Sequence, residues 1–439
     1  MTKKYFIIGI VSILLIASAF IIPSKKTHPT KTKKLKAVLI PGKKFLFNSF
    51  VDCNMAEVWI ADTFRIFPGK YGEDPVWGNS RELKFTNGFT VDEAFSRKSE
   101  EFIEPKMPEN VAPGKPGLHG AVWFETIYQD PRDKSDKTLF ALYHNENYPA
   151  TLPYNPSTGK GYIDTKWPEG LKGPTSAAAV CRIGIMKSVD GGRSWIDKGI
   201  ILEDLQTRMI LKPHNTSINF AGGVGDPSAV ASGDYLYIFF SEYGYPGTYN
   251  PATYNQDIEH SAQCISMARI PLKELDNPAG KAKRWGGKDF NTPYNATGKP
   301  IASLQIPKSA GGGATSSPTG KYYWGPSVSW NTYLKAWVML MAKAEGPSWK
   351  GSSIYISFNK NKDLGHGNNS QQWSKPELLL NKPGHTLWYP SVQPLSSSTD
   401  KENKNTCLKL GQKARLFFKD NHDDIGEYLS EYTVEFKNE

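Results

Sequence analysis

Short apolar runs recur along this chain, and a similar phrase introduces each. Gly225-Asp226-Pro227-Ser228-Ala229-Val230, Trp324-Gly325-Pro326-Ser327-Val328 and Trp388-Tyr389-Pro390-Ser391-Val392 lead through a turn or loop rich in Gly, Asn or Ser into apolar runs at 235–240, 336–341 and 414–418. Two looser copies, Val51-Asp52-Cys53-Asn54-Met55-Ala56-Glu57 and His119-Gly120-Ala121-Val122-Trp123-Phe124-Glu125, precede runs at 63–67 and 138–144. Hardly any segment keeps a helical apolar period for more than two turns, so the runs read as strands. One supersecondary unit used repeatedly predicts an all-β fold, a five-bladed β-propeller with long inserted loops. Its blades start near Asp52, Glu125, Asp226, Ser327 and Ser391.

At 439 residues the chain has room for two or three average domains, but a propeller uses such a length as one closed body. The expected organisation is an N-terminal export segment at 1–23, a flexible stalk at 24–44 and a single propeller at 45–439. The first segment has Lys3 and Lys4, then an uncharged apolar run from residue 5 to 23 with Ala17-Ser18-Ala19 as a cleavage candidate. That is the order of parts in a secretory signal peptide, and an uncleaved membrane anchor is the alternative. Eight lysines follow the run, which by the positive-inside rule would favour keeping that side in the cytoplasm. An exported protein is expected, touching a membrane only through such an anchor, and a monomer.

Net charge is +10, yet residues 1–44 hold ten lysines and no acid, leaving 43 basic against 43 acidic residues in the remainder. The folded body is neutral, which removes the support for a nucleic-acid partner. Cys53, Cys181, Cys264 and Cys407 are not paired at metal-ligand spacing, and both disulfides and free buried thiols stay open. Asn215, Asn295 and Asn368 begin N-x-Ser/Thr acceptor triplets, of consequence only in a glycosylating host.

Ser188-Val189-Asp190-Gly191-Gly192-Arg193-Ser194-Trp195 is the sharpest local signature. Asp190 is placed to accept backbone N–H groups across a hairpin turn, the glycines permit positive φ, and Trp195 would pack beneath. Its spacing resembles the Asp-box of sialidases and other propellers, where its role is structural. A sialidase is disfavoured, because the chain holds one clear box and only ten Arg with which to grip a carboxylate substrate.

The starts of the innermost strands line the mouth of a propeller's channel. There the phrases bring Asp52, His119, Glu125, Asp226, Trp324, Ser327 and Tyr389, and neighbouring strand ends add Tyr143-His144-Asn145-Glu146 and Ser241-Glu242-Tyr243. Convergent carboxylates suit glycosidic cleavage, which needs one proton-carrying acid and one ionised carboxylate. Trp324 and Tyr389 would stack on a sugar ring, or else serve as core aromatics. His119 and His144 read as substrate-facing or structural histidines more readily than as metal ligands, since no paired spacing supports a metal. No cofactor is expected; acidic groups around a channel would suit Ca²⁺, but no loop spacing identifies a site for it.

These segments together resemble the five-bladed propeller glycosidases of arabinanase and β-fructosidase type, and more closely a group of exported bacterial proteins related to them, over roughly residues 45 to 435. The resemblance implies a catalytic base at Asp52 and a carboxylate at Asp226 that orients substrate or tunes a neighbour. It implies a general acid at Glu146 or, failing that, Glu125. The family pattern usually puts its acid in a later blade, where Glu242 is the third-blade candidate. A glycoside hydrolase acting on a carbohydrate is therefore expected, with a non-catalytic carbohydrate-binding propeller as the alternative.

Overall fold

The computed structural model describes residues 34–73, 78–147 (apart from 114, 116 and 119), 179–204, 220–247, 253, 255–346, 349–395, 409–422 and 426–439. The expected export segment, His119, Cys407 and the Asn215 triplet lie outside the described residues.

Strand β1 (Leu35–Leu46) comes first. Blade 1 is built from β2 (Glu57–Ile60), β3 (Thr63–Ile66) and, after the short strands β4 (Lys70–Gly72) and β5 (Ser80–Arg81), β6 (Thr86–Gly88). Blade 2 holds β7 (Val122–Gln129), β8 (Leu139–Asn147), β9 (Ala179–Ser188) and β10 (Ile196–Leu202). Blade 3 holds β11 (Phe220–Ser232), β12 (Tyr235–Glu242) and β13 (Cys264–Pro271), edged by β14 (Lys283–Arg284) and β15 (Thr292–Pro293). Blade 4 holds β16 (Lys321–Asn331), β17 (Ala336–Glu345), β18 (Ser353–Asn359) and β19 (Glu377–Asn381). Blade 5 holds β20 (Leu387–Pro394), then β22 (Lys413–Asp420) and β23 (Glu427–Asn438), while β21 (Lys409–Leu410) joins the edge of blade 4.

The period-2 pattern explains how the blades pack. On β12 Leu236, Ile238 and Phe240 enter one apolar core with blade 2, and the alternate Tyr237 and Phe239 enter another with blade 4. On β17 Trp337, Met339 and Met341 face blade 3, while Val338 and Leu340 face blade 5. Both faces of such strands are buried, so the runs read as continuously apolar rather than alternating. Five apolar cores result among the described residues, one between each pair of neighbouring blades, including blades 5 and 1. The ring therefore closes as an all-β, five-bladed propeller.

Closure uses the beginning of the chain. Strand β1 pairs antiparallel with β23, from Leu35 opposite Asn438 to Leu46 opposite Leu429. Residues 35–44, expected in the stalk, are thus the outer strand of blade 5. The Lys-, Thr- and Pro-rich stretch preceding them hid this, because only Leu35 of the outer strand is fully buried and the partner lies almost 400 residues away.

At the Ser188–Trp195 turn, Asp190 Oδ1 accepts the N–H groups of Arg193 and Ser194, both at 2.9 Å. Trp195 packs edge-on against Phe124 and Phe67 in the core between blades 1 and 2. Cys53, Cys181 and Cys264 are free, buried thiols.

Candidate active site

The repeated phrases form one backbone device. Register breaks in β11 between Gly225 and Ser228, in β16 between Trp324 and Ser327, and in β20 between Trp388 and Ser391. At each bulge the residue before the proline is left-handed: Asp226 at φ 52°, Gly325 at 57° and Tyr389 at 48°. Proline suits the next position because a bulged residue is unpaired in the ladder and loses nothing by lacking an N–H. The serine that follows stitches blades in one case, Ser228 Oγ accepting the Val328 N–H at 2.9 Å. In β7 the break falls between Phe124 and Thr126, at Glu125. The bulges aim Glu125, Asp226 and Tyr389 together.

Glu125, His144 and Asp226 form the centre. His144 Nδ1 lies 3.7 Å from Glu125 Oε1 and 3.6 Å from Asp226 Oδ1, and the three side chains are only 0%, 7% and 3% exposed. Asp226 accepts the Tyr243 hydroxyl at 2.9 Å and the Tyr389 hydroxyl at 3.4 Å. Glu125 Oε2 accepts the Asn54 N–H at 2.7 Å, whereas Oε1 has no hydrogen-bond partner among the described residues. Burial first, and then the nearby Asp226 charge, push the Glu125 carboxyl well above its ordinary range. Burial would lower His144, but the hydrogen-bonding and charge of Asp226, with Glu146 and Asp52 behind it, outweigh this and raise the imidazole.

Asn54 ties the ring across its axis. Its side-chain N–H₂ donates to the backbone carbonyls of Asp226 at 3.3 Å and Pro326 at 3.2 Å, so this one residue of blade 1 bonds to blades 2, 3 and 4. Beside it Asp52, 32% exposed, accepts from Lys419 Nζ at 3.0 Å. Lys419 is 5% exposed and is caged by the faces of Phe50, 4.6 Å from its Nζ, and Trp388, at 5.5 Å.

No protein-family model matches this chain, and no curated protein matches it. Solved structures do. An N-acetylgalactosamine deacetylase from F. plautii, solved with blood group B trisaccharide, is similar over 91% of this chain and 95% of its own, at 11% identity and a TM-score of 0.42. An arabinanase from Bacillus subtilis is similar over 88% and 95%, at 9% and 0.40. An α-L-arabinofuranosidase from Lactobacillus brevis is similar over 90% of each chain, at 10% and 0.40.

Of the residues singled out from sequence, the structure brings Asp226, Glu125, His144 and Tyr389 into contact range. Glu146, two positions beyond His144 on β8, is half-buried, and its charge acts on His144. Ser327 is half-buried just past its bulge. Trp324 is buried among Tyr389, Trp388 and Trp349 as a core aromatic, with ring centroids 5.2, 5.9 and 6.3 Å away. Glu242 is withdrawn from any ligand: it is fully buried in a 2.6 Å ion pair with Arg284, and its other oxygen accepts the Gly244 N–H. Burial outweighs that pairing and lifts Glu242 to about 7. Its neighbour Tyr243 reaches Asp226 instead, because successive strand-end side chains point to opposite faces.

Sequence reading missed Lys419, whose one signal was a charged residue closing the 414–418 run. For a metal, Glu125, His144 and Asp226 each offer one ligand atom, all within 4.8 Å of one another. That nitrogen-and-oxygen set suits a transition metal better than Ca²⁺, which takes about six to eight oxygens.

Proposed function

We propose that this chain is an exported glycoside hydrolase working at the mouth of the central channel. What carries the reading is the division of the carboxyls into two kinds. Asp52 and Glu146 are partly exposed, whereas Glu125 and Asp226 are buried with His144. The exposed pair is the one able to touch a sugar. Asp52, paired with the Lys419 ammonium, takes the proton of a water whose oxygen attacks the anomeric carbon. Glu146 gives its proton to the leaving oxygen as the glycosidic bond breaks. Glu125, His144 and Asp226 hold a proton and a charge beneath, and bias the two reacting carboxyls electrostatically. Export is supported by the order of charged, apolar and small residues in the first 23 positions.

A second reading has its own observation. Asp52 is engaged by a caged lysine, and Asp226 by two phenols, as in a site built to hold rather than to cut. In that case the same mouth binds a polysaccharide without chemistry. Incubation of the chain with chromogenic glycosides and with plant and bacterial polysaccharides separates the two. Release of reducing ends supports hydrolysis, and saturable binding without release supports the binding module.

A further inference from the structure

The opposite end of the propeller carries a second, differently built pocket. A cavity of about 680 Å³ opens where the inner strands finish, lined among others by Tyr128 of β7, Trp330 of β16 and Trp337 of β17. Along β11 the lining begins at Val230 and includes Ser232, six residues beyond Asp226. At the usual rise of a strand that is roughly 15–20 Å from the Glu125–His144–Asp226 cluster. The two sites share no residue.

Register gives the pocket its chemistry. Trp337 lies directly opposite Trp330, and Trp330 directly opposite Lys409. Residues opposite one another on neighbouring strands project from the same face, so two indoles and an ammonium make one row across β17, β16 and β21. The indoles meet edge to face with centroids 4.9 Å apart, Trp337 buried and Trp330 half-buried, which leaves Trp330 as the ring a ligand would meet.

The second cation is held from behind. Trp337 Nε1 donates to the carbonyls of Asn361 at 3.1 Å and Lys362 at 3.3 Å. Ser232 Oγ donates to the Lys362 carbonyl at 3.4 Å and accepts the Leu364 N–H at 3.0 Å. The Lys362 backbone is thereby fixed to blades 3 and 4 while its side chain stays exposed. Neither Lys362 nor Lys409 forms an ion pair with a carboxylate among the described residues. Asp363, also in the lining, uses one oxygen to cap the Gly365 N–H.

We propose that this pocket is a second carbohydrate site that takes an acidic sugar residue. Its ring stacks on Trp330 and its carboxylate lies between Lys362 and Lys409, with Asp363 in reach of a ring hydroxyl. An aromatic face beside cations that have no carboxylate partner discriminates against neutral sugars, which offer the ring but not the charge. The proposal is independent of hydrolysis at the channel mouth.

Titration calorimetry with tri-galacturonate, and with cellotriose as the neutral control, tests it on the full chain carrying D52N, so that turnover does not interfere. The expected result is saturable tri-galacturonate binding that weakens with added salt, with at least tenfold weaker binding of cellotriose. W330A and the double variant K362A/K409A are each expected to weaken tri-galacturonate binding at least tenfold. The lysine variant alters one exposed and one half-buried side chain, so an unchanged melting temperature will show that its fold is intact. No saturable binding, equal binding of cellotriose, or an unaffected K362A/K409A variant overturns the proposal.

Discussion

Lys419 Nζ sits 3.0 Å from Asp52 Oδ1, with the Phe50 and Trp388 rings closing the other sides of the ammonium. The two residues lie 367 positions apart, at the start of blade 1 and the end of a blade 5 strand, and they meet only because the ring closes. A caged lysine has little freedom left to lose on pairing, which separates this contact from an ordinary surface ion pair.

Replacing the lysine by a side chain of similar length and no charge isolates the ammonium. K419M is expected to lower stability by about 1–2 kcal/mol, from the lost pairing and cation–π contacts. It is also expected to lower kcat/KM about tenfold or more, since Asp52 loses its anchor. Denaturant titration and steady-state kinetics on the same preparation check both.

Asp226 combines a hydrogen-bonding role with an unusual backbone, and two substitutions separate these. Asn tolerates the left-handed region and still accepts from one phenol, so D226N is expected to cost about 1–2 kcal/mol. Ala accepts from neither phenol and strains at φ 52°, so D226A is expected to cost about 1–2 kcal/mol more. Equal destabilisation by the two, measured by urea unfolding, would contradict the geometric account.

Buried carboxyls give the fold a characteristic pH dependence. Glu57 is raised well above its ordinary value by burial, with a Gln393 hydrogen bond opposing, and Glu242 is raised to about 7. A group whose folded value is raised binds its proton more tightly when folded. Its stabilisation is complete below the unfolded value and is lost as pH rises through the folded one. The melting temperature is therefore expected to fall between pH 5 and pH 8, each group contributing at most about 1.4 kcal/mol per pH unit. E57Q, which cannot titrate, is expected to flatten that slope, as scanning calorimetry across the range will show.

The ring is closed by a strand that lies mostly outside the body expected from sequence, at residues 35–44 of the expected stalk. A chain starting at residue 47 lacks all of β1, exposes the edge of β23 and removes Leu35 from the core between blades 4 and 5. It is expected to lose most of a domain's ~5–15 kcal/mol of stability and to aggregate through the open edge. A chain starting at residue 34 is expected to melt as the full chain does.

What was legible in the sequence follows from these contacts. The Pro-Ser phrases of blades 3, 4 and 5 were conspicuous because a left-handed residue, an unpaired proline and a serine are a local requirement of the bulge. Blade 2 makes its break with Glu125 and no proline, and is correspondingly fainter. Asp226 and Glu125 could be found because each lies in a repeated phrase, and His144 because it lies near a strand end opposite Trp123 of such a phrase. Strand β1 could not, since its stability comes from β23 rather than from its own composition. Lys419 was hidden because a lone lysine after an apolar run is the ordinary end of a strand. Glu242 and Tyr243 show the limit of such reading: the segment reaches the site, but alternation decides which neighbour faces it.

The central claim is that Asp52 and Glu146 cut a glycosidic bond. It is tested most directly by comparing wild type, D52N and E146Q on a polysaccharide that wild type hydrolyses and on its nitrophenyl glycoside. D52N is expected to lose about a thousandfold in kcat on both substrates. E146Q is expected to lose as much on the polysaccharide but far less on the nitrophenyl glycoside, whose leaving group needs little protonation. Retained hydrolysis in D52N, or a failure to find any polysaccharide that wild type cuts among those that bind all three proteins alike, would contradict the account.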